Sequence, residues 1–537
     1  MRFFVLIPLS TALLFLAPDL GAQSAVADSL RARATTTYRQ KAYAESTVAF
    51  TKLAARGDAT PVDLYNAACS AALAGDSTSA FGFLDRALIA GFDSYDQVKI
   101  DSDLESLRAS AHWSAIIARL DSLDTERKRV LAALPDPFKA FGALADSGYL
   151  TTLLKLDAMR RDHADAPMQW RSMVGEALGW TRTMVGDVAG AIAVFDPLSE
   201  PATDSPAFDA GSYTPRDAVN EILERARATR LVMINEAHHV AMHRALTTQL
   251  LDGLWKQGFR YLAVEAVGKK MSRDTNATPT LRSGTYTKDP VFADMLRAAV
   301  RLGFTVVPYD SFAVGCVATP DDPAKCFSAR DSLAAAKLYR EVFAHDPGAK
   351  VIVHAGYSHV VEVVRSPRAA RPVAYWLARL TGIDPLTVDQ TVMYGHSSPV
   401  FEPSEYRAVA SRGWLSAPVV LRAKDGSYYR SPAGGFSGVD MQVFTPPDSL
   451  VDGRPGWLFT RLGRRRVQIA RLPDGTRKGG GPYLVQAFVR GERPDAIPFD
   501  QAVTTGGPIT LALEPGRYEI HVIGADGEIG HSELRVR

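Results

Sequence analysis

The stretch "LVMINEAHHVAMHR", residues 231–244, sets Glu236, His238, His239 and His243 directly behind a short apolar run. A carboxylate two or three residues from an imidazole suits acid–base chemistry. The carboxylate orients the ring and raises its basicity, and the ring takes a proton from water. The same side chains are oxygen and nitrogen ligands for a divalent metal with an open position. Similar groups recur behind later apolar runs. Glu265 follows "FRYLAV", Tyr309 and Asp310 follow "FTVVP", and His354, Tyr357 and His359 lie in "KVIVHAGYSH". No Gly-x-Ser-x-Gly occurs and no Cys ends one of these runs, which argues against a covalent Ser or Cys nucleophile. The glycine spacing of a dinucleotide site does not follow the first run either.

The apolar runs read as strands, and the segments between them as amphipathic helices, each of the first two closed by Gly. This alternation predicts a largely parallel α/β sheet. In such a sheet the C-terminal strand ends share one edge, and ligands bind in the crevice outside it. One site therefore gathers the ionisable groups. In it His239 is the base, Glu236 and Glu265 orient it or the water, and His359 binds the developing oxyanion or protonates the leaving group. His238, Asp310, His354 and Tyr357 line the substrate, and Arg330 faces a substrate carboxylate. If the site holds a metal, Glu236, His239, Glu265 and His359 are its ligands. His243 falls in the next helix, as a neighbour.

"INEAHHVAMHRALTTQLLDGLWKQGFRYLAVEA", with "LGFTVVPYDS" and "KVIVHAGYSHVVE", resembles the erythromycin esterase-like domain, over roughly a third of the chain. That family has a strand ending in Gly-Glu-x-x-His, a helix, a strand ending in Glu, and a late histidine loop. Haem-uptake proteins and a membrane-tethered metalloprotease family share the arrangement. The resemblance implies that Glu236 and His239 match the first motif, with the histidine activating water, and that Glu265 and His359 match the later ones. Asn235 stands where the family has Gly, and Gly356 stands at the first histidine of the late loop. The shorter Glu-x-His spacing of the haem-uptake relatives is met by Glu236 and His238. The readings are thus an exported hydrolase of an ester, lactone or amide, a metal-dependent hydrolase at the same residues, and a non-catalytic protein that binds haem or another small ligand.

The rest of the chain sets these residues in context. With 537 residues, several domains are expected. Residues 1–22 read as a signal peptide, which implies export to the periplasm or medium, and no later segment reads as apolar enough to span a bilayer. Residues 23–198 are Ala/Leu-patterned helices resembling tetratricopeptide repeats, a docking face for a protein partner. In "AGDSTSA", Ser77 or Thr78 is available to cap the following helix. The α/β domain covers 213–402. Residues 415–537 read as short strands of a β-sandwich-like domain, whose run "GRRR" is a solvated face. A net charge of +2 gives no electrostatic case for nucleic acid. Cys69 reads as a buried small residue. Cys316 and Cys326 flank a polar loop and either close a disulfide or remain thiols.

Overall fold

The computed structural model describes the chain except residues 1–19, 200–201, 203–207, 276–277, 312–314, 317–323, 365–368, 432–435, 437 and 477–479. The expected signal peptide lies outside the described residues as far as residue 19, and residues 20–22 open the helix Leu20–Arg39. Among the described residues no helix is long and apolar enough to cross a membrane. The chain forms two compact units, Met1–Ala133 and Leu134–Arg537.

The first unit is helical. Its central hairpin, Pro61–Leu73 and Ser77–Ile89, buries Ala68, Ala72, Ala80, Leu84 and Ala87 in one seam. Thr60 opens the first helix in a capping box with Asp63. Gly75 turns the chain at φ 81°, a left-handed value that glycine adopts without penalty. Asp76, rather than Ser77 or Thr78, caps the second helix by accepting from Ser79 N at 3.0 Å. The carboxylate is already in place at the residue before the first helical turn, where a cap accepts.

The boundary at Ala133/Leu134 divides the helical region expected to run to Leu198. The helices Tyr149–Asp162, Met168–Met184 and Val188–Phe195 belong to the second unit. Tyr149 donates to the carbonyl of Lys288 at 2.7 Å, and Gln501 donates to that of Met184 at 2.9 Å. Helical periodicity shows that a face is apolar but not what that face packs on. The last hairpin repeats the earlier turn chemistry: Gly186 at φ 80°, then Asp187 accepting from Gly190 N at 3.0 Å.

Eight strands follow in the second unit: β1 Tyr213–Asp217, β2 Leu231–Glu236, β3 Tyr261–Val264, β4 Thr305–Pro308, β5 Val351–Gly356, β6 Leu386–Asp389, β7 Val419–Ala423 and β8 Met441–Gln442. Six form a parallel sheet in the order β4-β3-β5-β2-β6-β8. The chain runs outward from β3 to β4, then returns to place β5 between β2 and β3. Val232, Ile234, Leu262 and Ile352 face the helices Met242–Lys256 and Pro290–Leu302. Met233, Ala263, Val351 and Val353 face Lys325–Leu338 and Val373–Thr381. A sheet covered on both faces needs strands apolar on both sides, and β2 is buried at all six residues.

Strands β7 and β8, expected in the C-terminal β domain, belong to this region: β7 pairs antiparallel with β1, and β8 extends the sheet beside β6. These pairings span long sequence separations, which local patterning does not record. Beyond them come β9 Leu450–Val451, β10 Arg454–Pro455, β11 Arg465–Ile469, β12 Tyr483–Val489, β13 Asp500–Thr504, β14 Ile509–Leu513, β15 Gly516–Gly524 and β16 Gly527–Val536. The antiparallel sheet β13-β12-β15-β16 and the pair β11-β14 turn Val485, Ile520, Leu511 and Val467 into one core. In the basic run, Arg465 and Arg466 are exposed, but Arg464 is buried and paired with Asp294 at 2.8 Å.

Candidate functional site

The order β3-β5-β2 sets Glu265, just past β3, and Glu236, at the end of β2, on either side of the end of β5. In register, Glu236 is level with Gly356, and Val264 with His354. Glu236 is the hub. Its Oε1 receives His238 Nδ1 at 2.9 Å and its Oε2 receives His354 Nε2 at 2.9 Å. Arg244, in the first turn of the next helix, donates to both oxygens at 2.6 and 3.0 Å and to the carbonyl of His238 at 2.8 Å. Burial alone would push the Glu236 carboxyl up. Arg244, His238 and His354 outweigh it and hold the group well below the usual carboxylate range. Arg244 is itself buried and also faces Asp289 at 3.2 Å.

Glu265 forms a second charged group. Its Oε2 accepts from Gly356 N at 2.6 Å and its Oε1 from Arg330 at 2.7 Å. Arg330 also donates to Asp310 at 3.1 and 3.2 Å, so it bridges the ends of β3 and β4. His359 Nδ1 lies 2.7 Å from Asp331, and its Nε2 lies 3.5 Å from Glu265. Burial opposes a charge on His359, but Asp331 and Glu265 overcome it and raise the imidazole to about 10. Burial pushes Glu265 up too, and His359, His238 and Arg330 reverse that and hold it ionised.

His238 lies between the two groups. A Cβ on Gly356 would fall 2.7 Å from His238 Nε2 and 2.9 Å from Glu265 Oε2, so the ring fills the space that the missing side chain leaves. Tyr286 stacks on it at 3.7 Å, with the edges of Tyr357 and Trp180 at 5.0 and 6.0 Å. Because Nδ1 faces a carboxylate, it carries the proton in the assigned tautomer, and Nε2 keeps its lone pair. Among the described residues Nε2 has no hydrogen-bond partner. Trp180 Nε1 and Tyr357 Oη are likewise buried without one.

His239, expected as the base, is elsewhere. Its ring stacks on Phe195 at 3.6 Å, and its Nε2 is 3.4 Å from the Tyr394 hydroxyl. Burial, reinforced by the surrounding histidines and Arg244, drives it well below its ordinary value and leaves it neutral. It bonds neither Glu236 nor Glu265. In the loop leaving β2, adjacent side chains diverge, so only one of two neighbouring histidines turns toward the sheet edge. The expected metal set Glu236, His239, Glu265 and His359 therefore does not converge. Among the described residues the one group of three ligand atoms lying within 4.8 Å of one another is Cys69, Asp101 and Asp103, in the first unit. His243 accepts from Ala237 N at 3.0 Å and braces the same loop.

Asn235 is a buried tie. Its amide donates to the carbonyl of Tyr357 at 2.8 Å and to Asp389 at 2.7 Å, and its oxygen accepts from Gln390 N at 2.7 Å. It thereby joins the ends of β2, β5 and β6. Tyr357 stands at φ 41°, a left-handed value costly for a non-glycine residue, so the tie holds a strained backbone beside His238. Residues that sequence reasoning missed complete the site. Asp331 and Arg244 sit on helices, where only a helical wheel drawn from the sheet edge points to them. Glu176, pushed up by burial against the opposing influence of His238, comes with Trp180 from the helix Met168–Met184. Cys316 and Cys326 are disulfide-bonded in the segment after β4. Compared with known proteins, the chain matches no family model, no curated protein and no solved structure.

Proposed function

We propose that the sheet edge is a hydrolytic site in which His238, not His239, activates water for attack on an ester, lactone or amide carbonyl. The observation that carries this reading is the free Nε2 of His238, with Nδ1 on Glu236 and with Glu265 alongside. Glu236 fixes the ring's tautomer and stabilises the imidazolium that forms when water gives up its proton. The tetrahedral oxyanion needs donors already aimed at it. Trp180 Nε1 and Tyr357 Oη, unpartnered beside the imidazole, suit that role. Glu265 is held by Gly356 N and Arg330, so its negative charge stays fixed beside the imidazole.

His238 is 6 % exposed, so a water-sized reactant reaches it and a larger substrate requires the rings of Trp180, Tyr286 and Tyr357 to shift. The likeness to the erythromycin esterase-like domain supports the reaction class. The base departs from the esterase pattern: His238 sits at the shorter Glu-x-His spacing of the haem-uptake relatives, and its ring fills the space over Gly356 that a late-loop histidine side chain would need. Export by a signal peptide and a repeat-mediated partner belong to the same proposal. The test is a panel of ester, lactone and amide substrates, offered to wild type, His238→Ala and His239→Ala before and after chelation. Loss of turnover in His238→Ala with retention in His239→Ala is expected. Full activity of His238→Ala removes the assignment.

A further inference from the structure

A second cavity lies away from the sheet edge, between the helix Pro290–Leu302 and the C-terminal strands, with a volume of about 600 Å³. Its charged lining is Arg273, Arg297, Arg301, Arg517, Glu492 and Glu514. Arg297 is buried and forks onto Glu492 at 2.8 and 2.7 Å, and it donates to the carbonyl of Ile497 at 2.6 Å. Its Nη1 is buried without a partner. Arg301 faces Glu514 at 3.7 Å. Arg273 donates to the carbonyls of Val300 and Arg301, and neither it nor Arg517 meets a carboxylate among the described residues. Two of the four guanidinium charges are therefore uncompensated around a recess that also holds a buried, unsatisfied guanidinium donor. An unsatisfied buried donor carries a desolvation cost that a bound acceptor removes. Guanidinium groups match planar or tetrahedral oxyanions in geometry as well as in charge.

We infer that this cavity binds a small organic oxyanion, a phosphate or carboxylate carried on a body of sugar size, with Arg297, Arg273 and Arg517 as its donors. The volume is in the range of small-molecule sites. Val300 and Pro515 offer an apolar wall for the uncharged part. The site is separate from the histidine centre and is independent of its chemistry.

The experiment is calorimetric titration of the full chain with glucose 6-phosphate, glucuronate, inorganic phosphate and uncharged glucose. Each is repeated with Arg273→Ala/Arg517→Ala, two exposed positions whose replacement leaves the core intact, and with Arg297→Lys. Saturable binding of glucose 6-phosphate or glucuronate is expected, weakened at least ~10-fold in the double variant, weakened by salt, and absent with glucose. Phosphate binding as tightly as glucose 6-phosphate would show that the oxyanion alone is recognised and would overturn the assignment of an organic body. No saturable binding of any anion, or binding unchanged in the double variant, overturns the site.

Discussion

Gly356 gives the sharpest handle on the placement of His238. Its backbone is at φ −82° and ψ 143°, a conformation any residue adopts, so Gly356→Ala adds only a methyl group. That methyl would lie 2.6 Å from His238 Cε1 and 2.7 Å from Nε2. Carbon contacts settle near ~3.5–4.0 Å, so the ring must retreat by about 1 Å. Tyr286 stacks on one face and Glu236 holds Nδ1, so retreat stretches that bond or moves β5 from its neighbours. Overpacking of this kind costs about 1–3 kcal/mol. The stiffer unfolded chain offsets about 0.4–1 kcal/mol. The net expectation is a loss of up to about 2.6 kcal/mol, read as a lower urea midpoint at unchanged slope. Gly507→Ala, where a Cβ meets nothing within 4 Å, is the control and should not lose stability. A base displaced by ~1 Å also loses about 100-fold in turnover. If Gly356→Ala equals the wild type in midpoint and in any hydrolysis found, His238 does not occupy that space and the reasoning fails.

Asn235→Gly, which installs the residue of the resembled family, should cost about 3–4 kcal/mol, because Asp389 and Gln390 N lose a buried partner. A urea midpoint within error of wild type would show that the tie is dispensable. His359 is raised to about 10 in the folded chain, so its contribution is complete below its unfolded value of roughly 6.5 and is lost as pH climbs through about 10. The stability gap between wild type and His359→Gln should shrink from pH 7 to 10.5, and a constant gap contradicts the charge assignment. Of the three cysteines, only Cys69 should react with a thiol reagent in denatured, unreduced protein. A titre of three thiols would rule out the Cys316–Cys326 bridge.

The strand ends were legible from the chain alone because a carboxylate or imidazole after a β-branched apolar run is a local signal. Glu236, Glu265 and His354 follow from it, as does a parallel sheet. The choice between His238 and His239 was not legible, since it depends on side-chain direction in a four-residue turn. The roles of Asp331 and Glu176 were equally hidden. Each lies on a helix whose own pattern explains it as an ordinary polar position, and only tertiary packing brings it to the edge. Arg330 was expected to face a substrate and instead pairs with Glu265 and Asp310, partners from two other strand ends. The Asp389 end of β6 is not legible from the chain alone, because "LTVDQ" is short and its partner, Asn235, lies far upstream.

The aromatic wall contributed by the helices Met168–Met184 and Val188–Phe195 bears on how such a site can be inherited. A gene segment beginning at the first strand would carry the histidines and carboxylates but lose Trp180 and Phe195, which cover His238 and His239. The second compact unit, which starts at Leu134, carries both the strand motifs and this wall. Drift in the residues of those helices would alter what reaches the imidazole while the strand motifs stay fixed. Chains with the same motif can then diverge in what they accept through a region that motif comparison never inspects.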